Sequence, residues 1–190
     1  MSAFTEKAIT DTFIKLLNAK PLDKITIKDL VDECGINRST FYYYFDDIYD
    51  LLNHLLEAET KKALENNFHE SNWMDGLINA ISFATENKRA VYHIYNSVRR
   101  EQLEHYLYRV VGNVTEYAAN AAAIGLKVND EDKKIVSNVY KYIFVGMVHE
   151  WLESNMREDA ESVLNRVCLM LEGNMRTMLE RVAQTNPRKN

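Results

Sequence analysis

Asn37, Arg38, Ser39 and Thr40 stand together in the stretch GINRSTFYYYF, residues 35–45, and all four side chains can exchange hydrogen bonds with base edges. A guanidinium donates two bonds to a guanine edge, and a threonine offers a hydroxyl beside a methyl group that suits thymine or adenine. Behind them come Phe41, Tyr42, Tyr43, Tyr44 and Phe45, five aromatic rings in a row. A helix turns about 100° per residue, so Phe41 and Phe45 share a face while three consecutive tyrosines point three ways. They cannot all be core. A tyrosine joins an apolar ring to a hydroxyl tip, and hydroxyls donated from Tyr42 and Tyr44 to phosphates would position a protein on a duplex without reading its sequence. The plainer alternatives are core packing with one ring left outside and, for Arg38, a solvated side chain or an ion pair with Asp32 or Glu33.

The elements around this stretch favour the duplex. In ITIKDLVDECG, Thr26 followed three residues later by Asp29 has the spacing of a capping box, and Ile27, Leu30, Val31 and Cys34 form one face. That predicts a helix of about eight residues stopped at Gly35. After Ile36, which plugs the turn, Asn37 can cap a second helix carrying RSTFYYYF. Two short helices joined by a tight glycine-bearing turn make a helix-turn-helix, whose second helix enters the major groove N-terminal end first. Lys28 and the free N–H groups near Thr26 offer a further phosphate site. A first helix over about 3–19, with Ile9, Phe13, Leu16 and Leu17 in one stripe, is stopped by Lys20 and Pro21. A fourth starts near Asp46 or Asp47 and runs to about Asn66, so the small domain closes near residue 50.

Residues 1–56, above all ITIKDLVDECGINRSTFYYYFDDIYDLL, resemble the DNA-binding domain of the tetracycline-repressor-like (TetR/AcrR) transcriptional regulators. The resemblance implies a homodimer that binds a palindromic double-stranded DNA operator, represses, and lets go when a small-molecule effector enters a C-terminal helical pocket. It departs from the family where lysines commonly lead into the fourth helix, since here stand Asp46, Asp47 and Ile48. Residues 1–50 hold six Lys or Arg against nine Asp or Glu, a net charge of −3. Operator affinity is then either modest or rests mainly on Arg38, Lys28, the tyrosines and helix N-termini. The stretch HEWLESNMRED, 149–159, resembles a subgroup that includes regulators of dihydroxyacetone kinase operons.

The whole chain agrees with an all-α architecture, a helix-turn-helix domain at 1–50 followed by a helical bundle at 51–190. It has 190 residues, 46% hydrophobic, with prolines only at 21 and 187 and six glycines, so long helices are permitted throughout. The polar piece HESNW at 69–73 reads as a joint, followed by helices over about 74–86, 88–96, 99–124, 130–154 and 159–184 and a frayed tail TNPRKN. Gly146 and Gly173 fall inside the last two helices, where close helix packing would account for them. The wide stripes of those two helices, Tyr140, Met147, Leu164, Val167, Leu171, Met175 and Met178, predict a two-helix dimer face. Phe83, Tyr92, Tyr95, Tyr106, Tyr142, Phe144 and Trp151 are the candidates to line an effector pocket, with simple core as their alternative.

Several classes are disfavoured. There is no signal-like N-terminus and no apolar run able to span a bilayer, which implies a cytoplasmic protein. Cys34 and Cys168 lack metal or redox spacing and read as buried thiols. His149 and Glu153 share a helix face, but HEWLE is not HExxH and no third ligand is evident, so neither metal nor cofactor is expected. No phosphate loop or nucleophile elbow suggests an enzyme. The net charge of −5 keeps a competing class open, a dimeric helical adaptor that no longer binds DNA, and a metal-responsive regulator is a third reading.

Overall fold

A computed structural model describes residues 2–65, 77, 81 and 83–185. The expected joint at 69–73, most of the expected 74–86 helix and the tail beyond residue 185 lie outside the described residues. Those that are described form helices and connecting turns: α1 (Ser2–Ala19), a 3-10 turn (Leu22–Lys24), α2 (Ile27–Cys34), α3 (Arg38–Tyr44), α4 (Ile48–Glu65), α5 (Lys88–Tyr95), α6 (Arg100–Ala122), α7 (Asp130–Glu153), α8 (Ala160–Leu171) and α9 (Asn174–Thr185). No helix among them is long and apolar enough to cross a membrane. Two compact units result, one of Met1–Lys61 with Ser82–Tyr106, the other of Lys62–Ile81 with Leu107–Asn190.

In the first unit Ile9, Phe13 and Leu17 of α1 are completely buried at steps of four, and α1 packs against α2 and α5. Phe41 and Phe45 bring α3 onto this core with ring centroids 5.9 Å apart, and Leu51, Leu52, Leu55 and Leu56 of α4 complete it. The last turn of α1 leaves carbonyls without helical partners. His93 satisfies one of them, its Nδ1 lying 2.6 Å from the Leu17 carbonyl, while the Asn18 amide donates to Asn87 Oδ1 and accepts from the Ala90 N–H. A helix end that would otherwise need water is thus sealed by α5.

The second unit's core runs from Val111, Val114, Ala118 and Ala119 of α6 to Tyr140, Phe144 and Val145 of α7 and Leu164, Cys168, Met175 and Leu179 of α8 and α9. The buried hydroxyls of Thr115 and Ser137 satisfy each other at 3.1 Å. Burial pushes the Cys168 thiol up to about 11, as befits an apolar filler, whereas Cys34 is half-buried rather than buried. Two expectations need correcting. The single helix over 159–184 is two, because Gly173 takes φ +73°, a left-handed conformation that ends α8 and starts α9. Nor do Gly146 and Gly173 mark close packing, since a Cβ on either would meet nothing within 4 Å. The close approach falls at Gly112, where a Cβ would touch Lys141 Cδ at 3.4 Å.

Candidate nucleic-acid interface

The α2–α3 corner is fixed at its ends by side chains. Thr26 Oγ1 accepts from the Asp29 N–H at 3.1 Å while Asp29 Oδ2 accepts from the Thr26 N–H at 2.9 Å, a complete capping box. Lys20 Nζ, 2.8 Å from the same Asp29 oxygen, holds that carboxyl well below the usual carboxylate range, helped by the Thr26 hydroxyl and N–H. This changes the expected phosphate site: the Thr26 N–H is committed to Asp29, and a negative charge stands beside it. Gly35 closes α2 at φ +70°, and the Ile36 N–H bonds back to the Val31 carbonyl.

Asn37 then opens α3. Its Oδ1 accepts from the Thr40 N–H at 2.8 Å, from the Thr40 hydroxyl at 2.8 Å and from the Ser39 hydroxyl at 2.6 Å. The two hydroxyls thereby face a partner with their acceptor lone pairs. Beneath them Phe41 is fully buried, and outward stand Arg38, Tyr42 at 55% exposure and Tyr43 at 79%. Tyr44 is half-buried with its ring edge-on to Tyr43 at 5.0 Å. The three tyrosines do point apart, two into solvent and one along the core's rim.

The cations sort themselves by pairing. Lys7 is held by Asp11, Lys15 by Glu33, Lys20 by Asp29 and Lys28 by Asp32, the last at 2.7 Å with both groups exposed. The Lys28 ammonium is raised above its ordinary pKa by the Asp32 hydrogen bond and charge. Neither Asp32 nor Glu33 therefore engages Arg38. Among the described residues of 1–50, Arg38 and Lys24 are the cations outside any ion pair, and Arg38 opens α3. Both groups of the Lys28–Asp32 pair are exposed, where water and salt screen an ion pair, so a phosphate can take the place of Asp32.

The C-terminal expectations scatter. Phe83, Tyr92, Tyr95 and Tyr106 belong to the first unit, where Tyr95 carries the Arg100 guanidinium over its ring at 4.0 Å and burial raises the Tyr106 phenol. Tyr142 is 58% exposed on α7. Phe144 and Trp151 line a cavity of about 210 Å³ in the second unit, with Leu77, Ile81, Val111, Met147 and Leu164 among its walls. Sequence reasoning missed its edge, Glu150, Ser154 and Glu158. There the chain turns through Asn155 (φ 58°) and Met156 (φ 54°), consecutive residues in the left-handed region. The turn is held by the Met156 N–H to the Trp151 carbonyl at 2.8 Å and by Trp151 Nε1 to the Glu158 carbonyl at 3.0 Å. An Asn placed right after a helix was the available signal, because Asn tolerates this conformation.

The expected dimer residues divide too. Tyr140, Leu164 and Met175 are buried in the chain's own core, and Met147, Val167, Leu171 and Met178 pack partly against it. The outward apolar residues are instead Ile135, Val139, Tyr142 and Ile143 of α7 and Leu169 and Met170 of α8. His149 is half-buried and Glu153 exposed, and among the described residues no cluster of three His, Cys, Asp or Glu includes them.

Residues 9–55, which contain this corner, match the model of bacterial regulatory proteins of the tetR family, and residues 71–173 match the model of a transcriptional regulator C-terminal region. The chain is a tetR-family regulator. It is 26% identical over 87 residues to the HTH-type dhaKLM operon transcriptional activator DhaS of Lactococcus lactis subsp. lactis (strain IL1403), an alignment covering 46% of each chain. The chain thus spans about half the length of that curated relative. Among solved structures it shares its fold with a dihydroxyacetone kinase operon activator DhaS, at a TM-score of 0.78 and 18% identity, covering 91% of this chain and 97% of that one. A TetR family transcriptional regulator from Chloroflexus aurantiacus J-10-FL aligns at a TM-score of 0.44 and 19% identity, over 97% of this chain and 92% of that one. As a member of this family the protein is a DNA-binding transcriptional regulator, not an enzyme.

Proposed function

We propose that this regulator grips a palindromic operator as a homodimer, one α3 in each of two major-groove segments, and that a small molecule in the second unit's cavity alters its hold on DNA. The observation that carries the reading is the state of Arg38: exposed, outside any ion pair among the described residues, and at the first position of α3, a helix anchored by the buried Phe41. A guanidinium so placed is ready to meet a guanine edge, with Tyr42 and Tyr43 beside it to meet phosphates. Lys28 joins once phosphate displaces Asp32.

Pairing is assigned to the exposed stripe Ile135, Val139, Tyr142 and Ile143, spaced i, i+4, i+7 and i+8 along α7. Apolar surface of this kind on a soluble chain marks an interaction site, and a two-fold arrangement lets one stripe meet its copy. The two α3 helices then need a separation of about 34–36 Å, one DNA turn, or a multiple of it. An effector that prefers a dimer with another spacing shifts the population toward it, and DNA affinity follows.

Repression is what the resemblance implies. The named relative is an activator, which favours a second reading in which the DNA-bound form recruits transcription rather than blocking it. The test of DNA binding itself is anisotropy with an inverted repeat from the DNA upstream of the protein's own coding region, at rising salt. Binding whose logarithm falls linearly with the logarithm of salt concentration is expected. No binding even at low salt would leave the adaptor reading in its place.

A further inference from the structure

We propose that the second unit's cavity selects a small apolar organic cation, an alkylated ammonium ion; this rests on the ligand response proposed above and names its chemistry. The charged residues among the described cavity walls are Glu150 and Glu158, both acids, and no Lys, Arg or His is with them. Neither carboxylate takes part in an ion pair or a side-chain hydrogen bond among the described residues, since Trp151 Nε1 meets the Glu158 backbone rather than its side chain. Both residues are exposed as well as lining, so they stand at the mouth.

The rest of the wall is apolar, with the rings of Phe144 and Trp151 in it, and its hydroxyl, on Ser154, is already donated to the Trp151 carbonyl at 2.8 Å. A ligand needing hydrogen-bond donors would find none free on these side chains, and an anion would meet two carboxylates. A cation gains from both acids and from the negative faces of the aromatic rings. At about 210 Å³ the space is below the roughly 300–1,000 Å³ of drug-sized sites, so the ligand is small. The turn that carries Ser154 and Glu158 holds Asn155 and Met156 in left-handed conformations, strain of the kind that collects at ligand clamps.

Calorimetric titration of the full chain with benzyltrimethylammonium, its neutral isostere neopentylbenzene and the anion phenylacetate tests the assignment. The cation is expected to bind at least about tenfold more tightly than the isostere. The Glu150→Gln/Glu158→Gln double variant should lose that preference while keeping the isostere's affinity and the melting temperature. Equal affinities, a preference for the anion, no binding of the cation at millimolar concentration, or an unchanged preference in the double variant would overturn it. Operator binding measured on the same samples separates the two proposals. DNA binding without cation preference overturns the ligand chemistry alone, and cation preference without any effect on DNA sustains the chemistry while overturning the ligand response.

Discussion

The α2–α3 corner and the α7–α8 edge both place polar groups on an apolar floor, yet they are built by different means. At the corner, helices of eight and seven residues are pinned by Thr26, Gly35 and Asn37, each acting within a few positions of itself, and what faces outward is Arg38 and two tyrosines. At the edge, a helix of 24 residues meets one of 12 through a strained turn; Asp159 makes no capping bond, and what faces outward is acidic. Short helices are marginal by themselves and need their caps, whereas long ones take stability from the faces they bury. The shape of the corner is therefore set locally, whereas that of the edge depends on several distant segments.

The largest expected effect tests whether the corner depends on its floor. Phe41→Ala removes a fully buried ring from under Arg38 and should cost about 3–5 kcal/mol in chemical denaturation. A loss below about 1 kcal/mol would mean that α3 is held by its caps alone. Next comes the pairing stripe. Val139→Glu places a charge in the middle of it and should turn a dimer into a monomer in light scattering, because the carboxylate would have to be buried unpaired against the partner's stripe. An unchanged mass would move the interface elsewhere. Thr26→Ala should cost about 1 kcal/mol, the usual value of an N-cap. Asn37→Ala should cost about as much, and a null result at both would remove the idea that caps define the corner.

The smallest effect is in pH. The Asp29 carboxyl is depressed in the folded chain, first by the Lys20 ammonium and then by Thr26, from an ordinary value near 3.8. A depressed acid stabilises the fold above its unfolded pKa and loses that contribution as pH falls through the folded one. Melting temperature should therefore decline below about pH 4, and Asp29→Asn should flatten the decline while lowering stability at neutral pH.

The same contrast explains what could be read from residues alone. The capping box, the left-handed Gly35 and the Asn37 cap each involve partners two to four residues apart, so α2 was legible from its cap to its stop and α3 to within one residue, Phe45 being its extended C-cap rather than part of the helix. Of the cavity, Phe144 and Trp151 were legible as aromatic candidates, while Leu77, Val111 and Leu164 were not, because only packing brings those walls together. Aromatic content pointed also to Phe83, Tyr95 and Tyr106, which are buried in the other unit, and to Tyr92, which is exposed there. The break between α8 and α9 escaped notice because a glycine inside a helical pattern costs only about 1 kcal/mol and the apolar spacing continues across it. Tyr140 and Met175 lie in the chain's own core although they share the stripe expected at a dimer face, because a wide apolar stripe does not say which half meets its own core and which a partner.

In the function proposed, α3 reads bases through Arg38. Affinity of the Arg38→Ala variant should be measured by anisotropy on the best-bound upstream inverted repeat and on a scrambled duplex of equal length and composition, at one salt concentration. A loss of about 1–3 kcal/mol on the repeat and a much smaller one on the scrambled duplex is expected. An equal loss on both would make Arg38 a phosphate contact and contradict base reading.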